Sequence, residues 1–247
     1  MTTPSSDRRA FLSGEAWRAA AEQAADSQLD RQAQSTQPPQ RGPTLLLRTT
    51  AMATDFDVLL NPDGPTDQVA QASAALDEVH RLEQRYSSYR DDSDLMQLNR
   101  AAPFGPVPLD AELFSLLQRG RTLHERTDGA FDLTTGALIR LWRTCRQQAR
   151  LPTPEELASA RACAGVEHVT WDDLAQTVAF DRPGVEFHLG AIGKGAAVDA
   201  AVTILEAGGV TEALVHGGKS SVRALGTHAG HPGWPISLQN PLLPDRP

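Results

Sequence analysis

The rhythm of polar and apolar positions changes several times along this chain, and each change marks an element. Residues 44–60, TLLLRTTAMATDFDVLL, predict two strand segments around Met52-Ala53-Thr54. Phe56, Val58 and Leu60 recur there at the two-residue period of a half-buried strand. Residues 62–65 begin and end in proline and read as a turn. Val69, Ala72, Leu76, Val79 and Leu82 then recur at helical spacing and predict an amphipathic helix to about Arg85. Tyr86-Ser87-Ser88-Tyr89 ends it, and Asp92 or Ser93 caps a short helix reaching Asn99. The prolines of residues 103–108 break the chain before Asp110 caps another helix, with Leu113, Leu116, Leu117 and Leu123 on one face.

Residues 127–142 follow without a clear period. Residues 152–161 read as a helix with Pro154 in its first turn. Three short strands are expected at 166–170, 177–181 and 185–189, then a helix at 196–207 carrying Val198, Ala201, Val202 and Leu205 on one face. Strands at 213–215 and 221–225 flank His216-Gly217-Gly218, and one more begins at Trp234 and reaches Leu238. Helices and strands mix without strict alternation. The expected class is therefore α+β, with mixed or antiparallel sheets and packed helices.

The first 43 residues break this pattern. They are rich in Ala, Gln, Ser and Pro and read as a disordered polar tail ahead of one domain at 44–247, with a polar helix at 15–31 and a linker at 37–43. Ser6-Asp7-Arg8-Arg9-Ala10-Phe11-Leu12 resembles a twin-arginine export signal, but Gly14-Glu15-Ala16-Trp17-Arg18 is not the apolar run that should follow. A cytoplasmic protein is expected, with periplasmic export as the alternative. Hydrophobic residues make up 40% of the 247, enough for a globular core. A net charge of −8 argues against a nucleic-acid partner, which requires clustered Lys and Arg. No apolar run is long enough to span a membrane as a helix. Cys145 and Cys163 lack metal-site spacing and are expected to be buried thiols.

Candidate chemistry concentrates in residues 187–201, FHLGAIGKGAAVDAA. Gly190, Gly193 and Gly195 suggest close backbone approach and unusual dihedrals. A helix starting near Lys194 would aim free N–H groups and its positive dipole end at the turn, and the Lys194 ammonium would complete an anion site. A phosphate loop of the NTPase kind needs a longer spacer before its Gly-Lys pair and a Ser or Thr after it; here only Ala191 and Ile192 intervene, and Gly195 replaces the hydroxyl. The order of glycines also fails the dinucleotide fingerprint. A plain strand-to-helix turn therefore stands beside the anion site as a reading. The run Thr127-Asp128-Gly129-Ala130-Phe131-Asp132 is a polar turn with two carboxylates. Tyr89 suits stacking on a planar ligand or ordinary packing, and His188 and His216 read as structural.

Taken jointly, MATDF, YSSYRDDSDLMQLN, TDGAFDLTTGALIRLW, LGAIGKGAAVDAA and ALVHGGKSSVRALG, in this order, resemble the ApbE family of flavin transferases. The resemblance runs from about Met52 to the end of the chain. It implies the ApbE fold and Mg²⁺-dependent transfer of FMN from FAD to a Ser or Thr hydroxyl of an acceptor protein, with release of AMP. It further implies that Met52 and Tyr89 contact the flavin nucleotide, that Ala130, Phe131 and Asp132 line its pocket, and that Lys194 pairs with the pyrophosphate. The Ala191 carbonyl would ligate the metal, and Asp199 would orient the site. The chain departs from the family pattern at Ala53, where Gly is usual, at Lys219, where Asp is common, and at His188, where a carboxylate that contacts FAD is expected. The family's later His-x-x-Asp-Pro-x-Thr-Gly and Ala-Asp-Ala-Leu-Ser-Thr-like segments, which supply a base and further metal ligands, do not appear. A truncated, non-catalytic relative that only binds FAD or another nucleotide is the alternative expectation.

Overall fold

The computed structural model describes residues 42–218 and 220–237. The chain divides into a unit of Pro43–Trp234 and a second unit of Met1–Gly42 with Pro235–Pro247. The expected polar helix at 15–31, the twin-arginine-like stretch, Lys219 and Leu238 lie outside the described residues.

In chain order the elements are β1 (Leu45–Ala51), β2 (Thr54–Leu60), α1 (Gln68–Tyr86), α2 (Asp94–Ala101), β3 (Val107–Pro108), α3 (Ala111–Arg126), α4 (Gly136–Gln147), α5 (Pro154–Arg161), β4 (Val169–Asp172), β5 (Thr177–Phe180), α6 (Gly193–Ala207), β6 (Ala213–Gly217) and β7 (Ser221–Leu225). They build two antiparallel sheets, ordered β1-β2-β6-β7 and β3-β5-β4. This is the α+β arrangement that the mixed periodicities predict.

The first sheet owes its register to alternation. Phe56, Val58 and Leu60 of β2 are fully buried on one face, beside Ala213 and Val215 of β6. A slip of one residue would turn all of them to the other face. α1 and α6 pack on each other, α1 against β1 and β2 and α6 against β6 and β7. The buried positions Ala72, Ala75, Leu76, Val79 and Leu82 of α1 and Ala197, Val198, Ala201, Val202 and Leu205 of α6 follow the helical period. The second sheet meets α3 through aromatic contacts: Phe114 lies edge-on to Trp171 at 6.3 Å, and Trp171 and Phe180 lie 5.8 and 5.2 Å from Phe187. Helix caps agree with the sequence. Ser93 accepts from the Met96 N–H, Asp110 from Glu112 and Leu113, and Thr153 and Glu156 form a capping box around Pro154.

Several expectations need correction. Residues 185–189 do not form a strand. The buried Asn99 side chain bonds both backbone groups of Phe187, at 2.8 and 3.0 Å, and Leu133 O accepts from the His188 N–H at 2.8 Å. With its backbone satisfied this way, the segment needs no ladder. Residues 166–168 form a 3₁₀ turn ahead of β4, and the proline-broken stretch still contributes β3. Helix α4 was not expected. Its apolar residues form no single buried stripe, since Leu138, Ile139 and Leu141 are half-buried and Trp142 is exposed. α6 starts at Gly193, before the expected Ala196. No strand forms over 234–237. Trp234 instead stacks on His228 and donates its indole N–H to Leu225 O at 2.8 Å. Cys145 is buried, but Cys163 is partly exposed. No helix among the described residues is long and apolar enough to cross a membrane.

Candidate functional site

Met52 and Ala53 form the two-residue turn that joins β1 to β2, both in the left-handed region with φ of 51° and 59°. A type I′ hairpin turn demands this conformation and normally draws Asn or Gly. Here neither residue is suited to it. The turn is held from outside: the Met52 N–H donates to the Glu83 carboxylate of α1. It also meets the β6–β7 turn, where the Gly218 N–H donates to Asp55 O at 2.7 Å and a side chain on Gly218 would collide with Thr54.

The expected pocket loop is organised by Asp132. Its Oδ1 accepts from both the N–H and the hydroxyl of Thr134 at 2.7 Å, and the Thr134 hydroxyl accepts from the Gly165 N–H at 2.6 Å. That is an Asx turn leading into α4. His124 donates to Phe131 O at 2.9 Å and stands 3.7 Å from the second Asp132 oxygen. Ala130 is exposed and Phe131 half-buried. One Asp132 oxygen thus builds the loop, and the other faces His124.

Tyr89 is 67% exposed, so it is not a core residue. His188 meets it edge-on at 6.4 Å, and the Arg143 guanidinium lies 5.1 Å from the Tyr89 ring centre. His188 Nδ1 accepts from the Gly190 N–H at 3.1 Å. Burial, and secondarily Arg143, hold its imidazole below the usual histidine value. The ring is therefore neutral with its proton on Nε2, and that buried nitrogen has no partner among the described residues.

Beyond His188 the chain turns into α6. The Leu189 carbonyl accepts from both Ile192 and Gly193, at 3.1 and 2.7 Å. Among the described residues the N–H groups of Lys194 and Gly195 have no backbone acceptor, and the exposed Ala191 carbonyl accepts no backbone hydrogen bond. Lys194 makes no ion pair with a described residue. A methyl placed on Gly195 would meet nothing within 4 Å. An unpaired ammonium, two open N–H groups and a helix N-terminus thus converge where there is room for a ligand. Gly190, Gly193 and Gly195 do not use the positive φ that glycine allows.

Asp199 sits past the first turn of α6. Arg223 of β7 donates to it at 2.9 Å and Arg119 of α3 stands 3.8 Å away. This carboxylate is held by arginines and ties α6 to β7. On β6, His216 bridges Gly218 O at 3.1 Å and Asp57 at 3.2 Å, while Arg48 grips the buried Asp57 with two bonds. That row crosses three strands and carries the glycine turn after β6.

The structure brings Tyr89, His188 and the Asp132 loop together, the last through the His188–Leu133 bond that leads on to Lys194. It does not bring Asp199 into contact with Lys194. Sequence reading missed Arg143, Glu83, Asn99 and Arg223. No local motif marks them, since each acts through a partner distant in sequence. One compositional sign was available. The chain has only two lysines among its 23 basic residues, and both stand beside glycines, at Lys194 and Lys219.

A sequence model of the ApbE family matches residues 52–246. The FAD:protein FMN transferase of Salmonella typhimurium is 32% identical over 160 residues, covering 63% of this chain and 45% of that protein. That of Treponema pallidum is 35% identical over 170 residues, covering 65% and 47%. Among solved structures, a mutant form of the flavin transferase ApbE from Vibrio cholerae is similar with a TM-score of 0.71 at 26% identity, over 81% of this chain and 68% of that one. The chain spans about half the length of the curated relatives it matches.

Proposed function

The chain belongs to the ApbE family, and from that premise we propose that it binds FAD and transfers the FMN moiety to an acceptor protein. The observation that carries the reading is the start of α6. There an unpaired Lys194, the open N–H groups of Lys194 and Gly195 and the free space over Gly195 form an anion site suited to a pyrophosphate. Tyr89, exposed and held edge-on by His188, offers a ring face for stacking.

The chemistry proposed is phosphoryl transfer. A Ser or Thr hydroxyl oxygen of the acceptor attacks the phosphorus on the flavin side. The bond to the bridging oxygen breaks, and AMP departs with that electron pair. The hydroxyl proton passes to solvent water. This chain's share is positioning and charge: Lys194 and the α6 N-terminus hold the pyrophosphate while negative charge builds on the leaving side. Magnesium enters on family resemblance alone. Among the described residues no three His, Cys, Asp or Glu side chains are placed to hold a metal. The Ala191 carbonyl is one oxygen, where Mg²⁺ requires near-octahedral coordination, so these residues alone do not fit the ion. A cytoplasmic compartment is part of the same proposal, with export through the stretch at residues 6–12 as the alternative that cell fractionation decides.

The test is incubation with FAD, Mg²⁺ and an acceptor protein carrying a flavinylation site. Covalent flavin fluorescence on the acceptor supports transfer. FAD retained without transfer supports the binding-only alternative, and absence of FAD binding sinks both.

A further inference from the structure

Helix α4 runs beside the segment that carries His188, and its cations answer that segment one by one. The Gly136 N–H donates to Glu186 O at 3.1 Å, and any Cβ on Gly136 would lie 2.6 Å from that same oxygen. One turn on, Arg140 pairs with the Glu186 carboxylate at 3.1 Å. Arg143, three residues further, stands 5.1 Å from the centre of the Tyr89 ring, which His188 meets edge-on.

The two arginines meet different chemistry. Arg140 finds a carboxylate, so its charge is neutralised. Arg143 finds a neutral imidazole, which cannot neutralise it. Among the described residues it makes no ion pair, and its guanidinium lies over the exposed Tyr89 ring. A cation over a ring uses its charge there and leaves the planar fork of N–H donors free. His188 adds a second unmet demand, a buried Nε2–H with no acceptor. Buried donors are almost always satisfied in native proteins. An unneutralised guanidinium and an orphan N–H in one aromatic cluster both call for an acceptor that the described protein does not contain.

We propose that Arg143, together with the Nε2–H of His188, forms a second anion subsite beside Tyr89, which takes a phosphate of the bound ligand independently of Lys194 and the α6 N-terminus. Applied to FAD this rests on the reading above. The anion chemistry itself does not depend on the flavin.

Titration of the full chain with FAD, riboflavin and inorganic pyrophosphate tests it, using Arg143→Gln and Arg143→Lys. Arg143 is exposed, so both variants should melt as the parent does. Arg143→Gln should weaken FAD and pyrophosphate by roughly ten-fold, the lower end of what one charge-assisted hydrogen bond supplies. Riboflavin, which has no phosphate, should bind as before. Arg143→Lys should recover part of the loss, and the loss should shrink as salt rises. Unchanged FAD and pyrophosphate affinity in Arg143→Gln overturns the subsite. Equal losses for FAD and riboflavin overturn it too, by reducing Arg143 to a support for the Tyr89 ring. If the parent binds no flavin, the FAD reading falls, while the pyrophosphate arm still decides the subsite; failure of the parent to bind pyrophosphate overturns it.

Discussion

Two turns of this molecule invert the usual relation between glycine and strain. The β1–β2 turn holds two left-handed residues, and they are Met52 and Ala53. The turn into α6 holds three glycines, and none is left-handed. Glycine is thus absent where the backbone is strained and present where it is ordinary. At the first turn, left-handed φ costs roughly 1–2 kcal/mol per residue, and the Glu83 carboxylate on the Met52 N–H and the hairpin register hold the conformation. At the second, Gly195 contributes a missing methyl: the space over it is open, beside unpaired N–H groups. A glycine in a candidate site can therefore signal clearance for a ligand with no dihedral requirement at all.

The comparison breaks most severely at the scaffold under the glycine turn. Asn99→Ala leaves the Phe187 N–H and C=O without partners in a buried place. It should cost about 3 kcal/mol in urea denaturation and weaken FAD binding through displaced His188 and Lys194. Full FAD affinity in a destabilised Asn99→Ala would show that the turn holds its shape without that anchor. Lys194→Ala comes next. Removing the unpaired ammonium should lower FAD affinity roughly ten- to a hundred-fold with stability unchanged, and unaltered affinity refutes the pyrophosphate role.

The sharpest test pairs one substitution in each turn. Gly195→Ala should stabilise α6 by about 0.5–1 kcal/mol, because alanine is the better helix former and its methyl meets nothing, yet it should weaken FAD binding by filling the cleared space. Ala53→Gly should stabilise by about 1 kcal/mol through relief of the left-handed penalty. If Gly195→Ala leaves FAD binding intact, clearance is not what that glycine provides. The smallest effect is in pH. The folded-state imidazole of His188 is depressed below its ordinary value, so the unfolded chain takes up a proton that the folded one resists. Stability is intact above the ordinary histidine value and falls as pH drops through the folded one. A His188→Asn variant should lose this part of the slope between pH 7 and 5 in urea titrations, and an identical slope would place His188 in open solvent.

Periodicity determined the β1–β2 opening, α1 and the Asp110-capped α3, because burial on one face imposes its period directly on the sequence, whereas α5 was marked by the proline in its first turn. Motif order determined the family. The lone Lys194 between glycines was also legible, since its neighbours in space are its neighbours in sequence. Only the tertiary structure could decide the rest. Residues 185–189 look like a strand until Asn99, far back in the chain, takes both backbone bonds of Phe187. Asp199 reads as a site carboxylate, and only the structure shows that Arg223 and Arg119 are its partners. Arg143 looks like a solvated helix charge until folding sets it over Tyr89 and beside an imidazole that cannot neutralise it. Each depends on which distant groups meet, and local propensity carries no record of that.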